Sequence, residues 1–163
     1  MAMPAAPPPR IVLRPLDQAT ARAILDGERR PDWSGGYPTA GDRDIARFLF
    51  ERPPTEGTPS LWLPHQILHS STGTVIGGIG CHRPPDANGS VEIGYGIAAE
   101  WRNQGLTTEA AATLIRAFAG AGVRTVVART DADNIPSQAV LRHIGFARHG
   151  VGADGLLIWQ RAL

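Results

Sequence analysis

Lysine is absent from this chain: all sixteen basic side chains are arginine, set against fifteen acidic ones, for a formal charge of +1. So balanced a sequence offers no broad cationic surface to nucleic acid or anionic lipid, and neither is expected as a partner. The arginine-only habit reads as the codon composition of a GC-rich bacterial genome. Cysteine is nearly absent too. Cys81 stands alone, which excludes an intramolecular disulfide and a cysteine-built zinc site, and a single thiol suits a reducing compartment. No apolar run approaches the roughly 18 residues of a membrane span, and residues 1–9 carry neither the basic nor the apolar segment of a secretory signal. The expected location is the cytoplasm. Charged residues make only 19% of the chain, below the usual quarter, which with frequent turn residues excludes a coiled coil.

What is present is a chain of 163 residues, 42% apolar, long enough to bury one sizeable core and too short for two full domains. Ala/Pro crowding at 1–9 predicts a disordered or polyproline-like tail, leaving 10–163 as a single domain. Nineteen glycines and fourteen prolines punctuate that domain. Alternation predicts a strand at 10–16, with Asp17 placed to cap a helix at 20–28. Residues 31–41 read as a loop, although Trp33 and Tyr37 within it would ordinarily seek cover. A helix at 42–51 follows, then strands at 61–69 and 74–81 around a turn at 70–73. A strand at 91–98 contains Gly94 and Gly96, which weaken regular pairing and permit a bulge or a close backbone approach. Helical spacing resumes at 105–118, followed by a strand at 123–130, a helix at 135–144 and a final strand at 156–163, with a further short strand open at 146–149. The class is mixed α/β.

The stretch 91–108, VEIGYGIAAEWRNQGLTT, is the most informative, because a glycine-interrupted strand there runs through a short loop into a helix. A helix start exposes N–H groups without intrahelical partners, and its dipole favours an anion by about 0.3–1 kcal/mol. A pyrophosphate suits such a site, with Gly105 allowing close main-chain approach and Arg102 adding charge. An ordinary strand-to-helix connection accounts for the same stretch equally well. Asn134 and Ser137, with Pro136 between them, read on their own as residues of a helix start.

Taken in order, these blocks resemble the GNAT superfamily of acyl-CoA-dependent N-acyltransferases. Arg102, Asn103, Gln104, Gly105, Leu106 and Thr107 follow the family pattern Arg/Gln-x-x-Gly-x-Gly/Ala, except that Thr107 replaces a small sixth residue. Asn134, Ser137, Leu141, Gly145 and Phe146 follow the second block. The run from Glu92 to Tyr95, EIGY, looks most like the ribosomal-protein N-terminal acetyltransferase branch. The resemblance implies a mostly antiparallel twisted sheet of six to seven strands, about four flanking helices and a splayed central parallel pair. It implies acetyl-CoA as co-substrate and no metal. Its pantetheine arm would lie along Tyr95, Gly96 and Ile97, its pyrophosphate on the amides of Asn103, Gln104, Gly105, Leu106, Thr107 and Thr108 beside Arg102. Asn134 would orient the arm, and Ser137 would sit near the thioester sulfur. The acceptor is an amine, either of a small molecule or of a protein N-terminus; homodimerisation is left open.

Acyl transfer to an amine requires a neutral nitrogen, stabilisation of the developing oxyanion and a proton for the departing thiolate. A lysine-like amine needs about 4.6 kcal/mol to be neutral at pH 7, an α-amine only about 1 kcal/mol. Glu92 is the one carboxylate in its strand and a candidate base, directly or through water, though it equally reads as a salt-bridged strand residue. The strand at 123–130, where relatives place a catalytic Glu, has Arg124 and Arg129 instead. Leu141 stands where other members have a tyrosine acid. Ser137 is thereby left as the donor to the thiolate, with positioning supplying much of the rate. On the acceptor side the candidates are Trp33, Tyr37, His65 and His82. His65 and His69 are four apart on a strand, a spacing that does not bring two ligands to one metal. A non-catalytic acyl-CoA-binding or sensing protein is the alternative.

Overall fold

The computed structural model describes residues 4–163. The first three residues of the tail expected at 1–9 lie outside the described residues, and the next six form neither helix nor strand. Seven strands and four helices follow in the order β1 (Ile11–Pro15), α1 (Gln18–Leu25), α2 (Ala40–Glu51), β2 (His65–His69), β3 (Val75–Cys81), β4 (Ser90–Ile97), α3 (Leu106–Gly120), β5 (Thr125–Thr130), α4 (Ile135–His143), β6 (Ala147–Val151) and β7 (Leu157–Ala162). The strands form one sheet, β1-β2-β3-β4-β5-β7-β6. Every neighbouring pair is antiparallel except β4 and β5. The mixed fold with a central parallel pair, which the family resemblance implies, is the fold observed.

Local chemistry explains most boundaries. Asp17 caps α1, its carboxylate accepting from Thr20 N at 2.7 Å, and these hydrogen bonds hold its pKa below the usual carboxylate value. Helix α2 starts two residues before the predicted Asp42 because Thr39 is its cap. Thr39 Oγ1 accepts from Asp42 N, and Asp42 accepts in return from Thr39 N, a capping box. The predicted strand at 61–69 begins only at His65. Residues Ser60–Trp62 form a single 3₁₀ turn, and Pro64, which has no N–H for a ladder, separates it from the strand. Trp62 instead stacks on Phe118 of α3, ring centroids 5.7 Å apart.

The glycines of β4 do not produce a bulge. Pairing of β3 with β4 is regular from Gly77↔Ile97 to Cys81↔Ile93, and the register shifts fall elsewhere, at Ile67/Leu68 and Arg148/Gly150. What changes along β4 is its other edge. Its parallel pairing to β5 runs only from Ser90↔Thr125 to Ile93↔Ala128, while β5 continues beside β7 as far as Thr130. The two central strands therefore part after Ile93, and residues 94–97 have no ladder partner on that side.

The sheet separates two cores. One unites α3 and α4 with β3, β4, β5 and β7 through Ile79, Ile93, Leu114, Phe118, Val126 and Trp159, among others. The second joins α1 and α2 through Leu16, Ile24, Ala46 and Leu49, and takes in Trp33 and Tyr37 from the loop between those helices. Both loop aromatics are buried, so they found the cover that their size predicts. No described helix is long and apolar enough to cross a membrane.

Candidate active site

Three features converge where β4 leaves β5. The first is the start of α3. The loop into this helix places Asn103 at φ 60° and Gly105 at φ 74°, both left-handed, a conformation that asparagine tolerates and glycine adopts freely. Gly105 is the cap residue and supplies no side-chain hydrogen bond. The N–H groups of the first turn, at Leu106, Thr107 and Thr108, are thus free to meet an anion. Leu106 is buried in the core below, so its main chain and not its side chain faces that anion.

Arg10, unremarked in the sequence beyond its place at the first strand, braces this turn. Its Nη1 donates to Gln104 O at 2.9 Å and its Nε to Glu109 Oε2 at 2.8 Å, while its main-chain N donates to Glu109 Oε1 at 2.7 Å. Its Nη2 lies 3.4 Å from where a Cβ on Gly105 would stand. Because the guanidinium is paired with the Glu109 carboxylate, its main effect is to hold the turn in shape, with Nη2 left at the edge of the uncapped amides. Left-handed turn, bare amides and arginine together fit a diphosphate.

The second feature is the gap itself. Tyr95 reaches across it from β4 to α4, its hydroxyl 3.0 Å from Ser137 Oγ and 3.2 Å from Ser137 O. Burial pushes the Tyr95 phenol pKa up, so the group stays protonated. Asn134 caps α4, its Oδ1 accepting from Ser137 N at 3.2 Å. Of the residues singled out in the sequence, Tyr95, Ser137 and Asn134 thus meet at one end of the gap.

The third feature is a cavity of about 270 Å³ between α2 and the sheet. Its floor exists because four positions lack side chains. Gly78 pairs with Gly96 and Gly80 with Gly94 across β3 and β4, and residues two apart on a strand share a face. A Cβ on Gly78 would stand 2.2 Å from Asp42 Oδ1, and one on Gly96 would stand 3.4 Å from Thr39 Oγ1. Tyr37, His65 and His82 line this cavity; Trp33 does not. Trp33 packs edge-on against Tyr37, centroids 5.2 Å apart, and so supports the wall from behind. The Tyr37 hydroxyl accepts from Gln66 Nε2 at 3.0 Å, and burial pushes its pKa upward. Burial also lowers the pKa of His65, whose Nδ1 is enclosed without a hydrogen-bond partner. Its imidazole is therefore neutral at pH 7.

Asp42, expected only as the first residue of a helix, is the buried carboxylate of the cavity. Burial raises its pKa, against the opposing pull of its bonds to Thr39. The signal for it was available: Thr39-x-x-Asp42 is a capping-box spacing, which fixes a carboxylate at a helix start. What no pattern announced was the glycine pair beneath it. Glu92 lies elsewhere. Its carboxylate is half-exposed and 3.5 Å from Arg129 Nε, and Arg129 also holds Asp154 at 2.9 Å. Glu92 does not line the cavity.

The sequence profile of the acetyltransferase (GNAT) domain matches residues 10–147. The chain belongs to the GNAT acetyltransferase family. It is 33% identical over 147 residues to the uncharacterized N-acetyltransferase YjdG of Bacillus subtilis, covering 80% of this chain and 84% of that one. Among solved structures it resembles RimL, a ribosomal L7/L12 alpha-N-protein acetyltransferase in complex with coenzyme A, with a TM-score of 0.68 and 18% identity over 94% of each chain. It also resembles the microcin C7 self-immunity acetyltransferase MccE, in complex with acetyl-CoA and AMP, with a TM-score of 0.67 and 18% identity over 94% of this chain and 93% of that one.

As a GNAT acetyltransferase, the protein departs from the acid/base set that the family resemblance implies. Leu141, which stands where the resemblance would place a tyrosine acid, is wholly buried in the α3/α4 core. Cys81 is buried, and its thiol is pushed up to about 11, which leaves almost no thiolate at neutral pH to form a covalent intermediate.

Proposed function

We propose that this protein moves the acetyl group of acetyl-CoA directly to a primary amine, either a protein N-terminal α-amine or the amine of a small molecule. The observation that carries the reading is the uncapped, left-handed start of α3 standing beside the parted strands. The bound thioester supplies the activated acetyl carbon. In this reading the amides of residues 103–108, with Arg102 and Arg10, hold the diphosphate. The unpaired edge of β4 at Tyr95, Gly96 and Ile97 offers main-chain hydrogen bonds to the arm, as an added strand would. Asn134 orients it, and Ser137, with the Tyr95 hydroxyl beside it, donates toward the sulfur. The acceptor enters from the opposite face, over the glycine floor.

Support comes from the family and from the names of its relatives: RimL acts on a protein α-amine and MccE is a self-immunity enzyme, so both acceptor classes stay within the proposal. Titration calorimetry with acetyl-CoA, followed by thiol release over a panel of amines, tests it. Binding with release on at least one amine is expected. Absence of binding would end the reading, and tight binding without release on any amine would leave an acyl-CoA sensor.

A further inference from the structure

We infer that Asp42 is the general base of this enzyme, taking the proton that the acceptor nitrogen sheds as it is acetylated. The inference rests on the acetyl-transfer reading above. In that step the amine nitrogen bonds to the acetyl carbon, the carbon–sulfur bond breaks with its electron pair passing to sulfur, and the nitrogen's proton goes to Asp42. The sulfur is reprotonated from the Ser137 side, and Asp42 returns its proton to solvent through the cavity mouth.

Placement is the first argument. Asp42 Oδ1 stands directly over Gly78, and Gly78 is the register partner of Gly96, whose main chain borders the gap between β4 and β5. Adjacent antiparallel partners lie about 4.5–5.5 Å apart at their Cα atoms. A carboxylate over one of them is therefore within a strand's width of the backbone that lines the gap. Orientation is the second. Thr39 N and Thr39 Oγ1 both donate to Oδ2, at 2.8 and 2.7 Å, which leaves Oδ1 turned to the floor as the atom free to accept. Isolation is the third. None of the six ion pairs among the described residues involves Asp42, and no arginine lines the cavity, although the chain has sixteen.

A carboxylate so enclosed is a stronger base than an exposed one, because burial disfavours its charge. Glu92, the candidate that the sequence offered, faces Arg129 instead and lies outside the cavity.

Asp42→Asn keeps an oxygen for the Thr39 donors and removes the base. With the best amine of the panel, kcat should fall by roughly 10²–10⁴-fold, the range for a positioned general base, while acetyl-CoA affinity by calorimetry stays within about threefold. The acidic limb of the wild-type kcat profile should vanish. The groups facing Asp42 that must be separated from that limb are Tyr37 on the preceding loop, His65 on β2, His82 after β3, and Arg43 and Asp44 on α2. Asp42→Glu, which keeps both a carboxylate and the capping box, should recover part of the rate. Without cofactor, the ¹³C carboxyl resonance of Asp42 should move when alanine amide, a minimal α-amine, is titrated in. Retained turnover and an unchanged acidic limb in Asp42→Asn, or a carboxyl resonance that ignores the amine, would overturn the assignment and leave acetyl transfer standing. A wild-type protein that acetylates no amine would remove both together.

Discussion

Two residues set opposite pH signatures, and a third shows how tightly the cavity is built. His65 has its pKa lowered by burial from an ordinary value of 6.5. The unfolded chain therefore binds a proton that the folded one refuses as pH falls below 6.5, and stability is lost in that direction. Wild type should lose stability against His65→Gln between pH 6.5 and 5, measured by urea unfolding; equal slopes would show that the imidazole titrates freely. Asp42 has its pKa raised from 3.8, so here the folded chain holds the extra proton. Its contribution to stability falls as pH rises from 3.8 through its folded-state value. Gly78→Ala places a methyl 2.2 Å from Asp42 Oδ1, and the pinned carboxylate must leave its capping box. Overpacking of this kind costs about 1–3 kcal/mol, more than the 0.4–1 kcal/mol or so that a Gly→Ala change returns through the unfolded state. A lower melting temperature is expected, with turnover falling further than acetyl-CoA affinity. An unchanged melting temperature would mean that Asp42 moves aside at no cost.

At the scale of elements, the decisive contact joins β1 to the start of α3. Arg10 and Gln104 are far apart in sequence yet meet through a 2.9 Å hydrogen bond, and Arg10 reaches Glu109 by both its main chain and its side chain. Arg10→Ala should weaken acetyl-CoA binding by about tenfold, in line with the roughly 1.5–3 kcal/mol range for charge-assisted hydrogen bonds discounted for exposure. The loss should shrink at high salt; affinity equal to wild type at low salt would remove Arg10 from the site. The same contact shows which information a sequence carries locally. Asp17 and Asn134 announce helix starts because capping acts within three or four residues, and the β4-to-α3 motif around Gly105 is contiguous. The Arg10 brace, the Gly78/Gly96 floor and the position of Asp42 over it depend on sheet register, which sets apart or brings together segments that share no local signal. Pro64 lies inside the strand expected at 61–69, yet it cannot donate to a ladder, and the observed strand begins only after it, at His65.

For the molecule as a whole, the sheet consists of two antiparallel blocks, β1 to β4 and β5 with β7 and β6, sewn together by the few parallel pairs from Ser90↔Thr125 to Ile93↔Ala128. The cores extend the asymmetry: α3 and α4 pack across both blocks, whereas the α1/α2 core rests on the first block alone, through Val75 and its neighbours. A ligand held by the start of α3 and by the open edge of β4 would therefore brace the molecule at its thinnest seam. It binds only the folded state, so at a hundred times its Kd it should add about 2.7 kcal/mol of stability. Because the seam is local, the protection should be uneven. Hydrogen exchange with acetyl-CoA present should slow most at residues 94–97 and 103–108, while amides of α1, on the far face, should change little. If exchange slows uniformly through α1 and α2 as well, then the two cores open as one unit, and the seam between β4 and β5 is not where the cofactor acts.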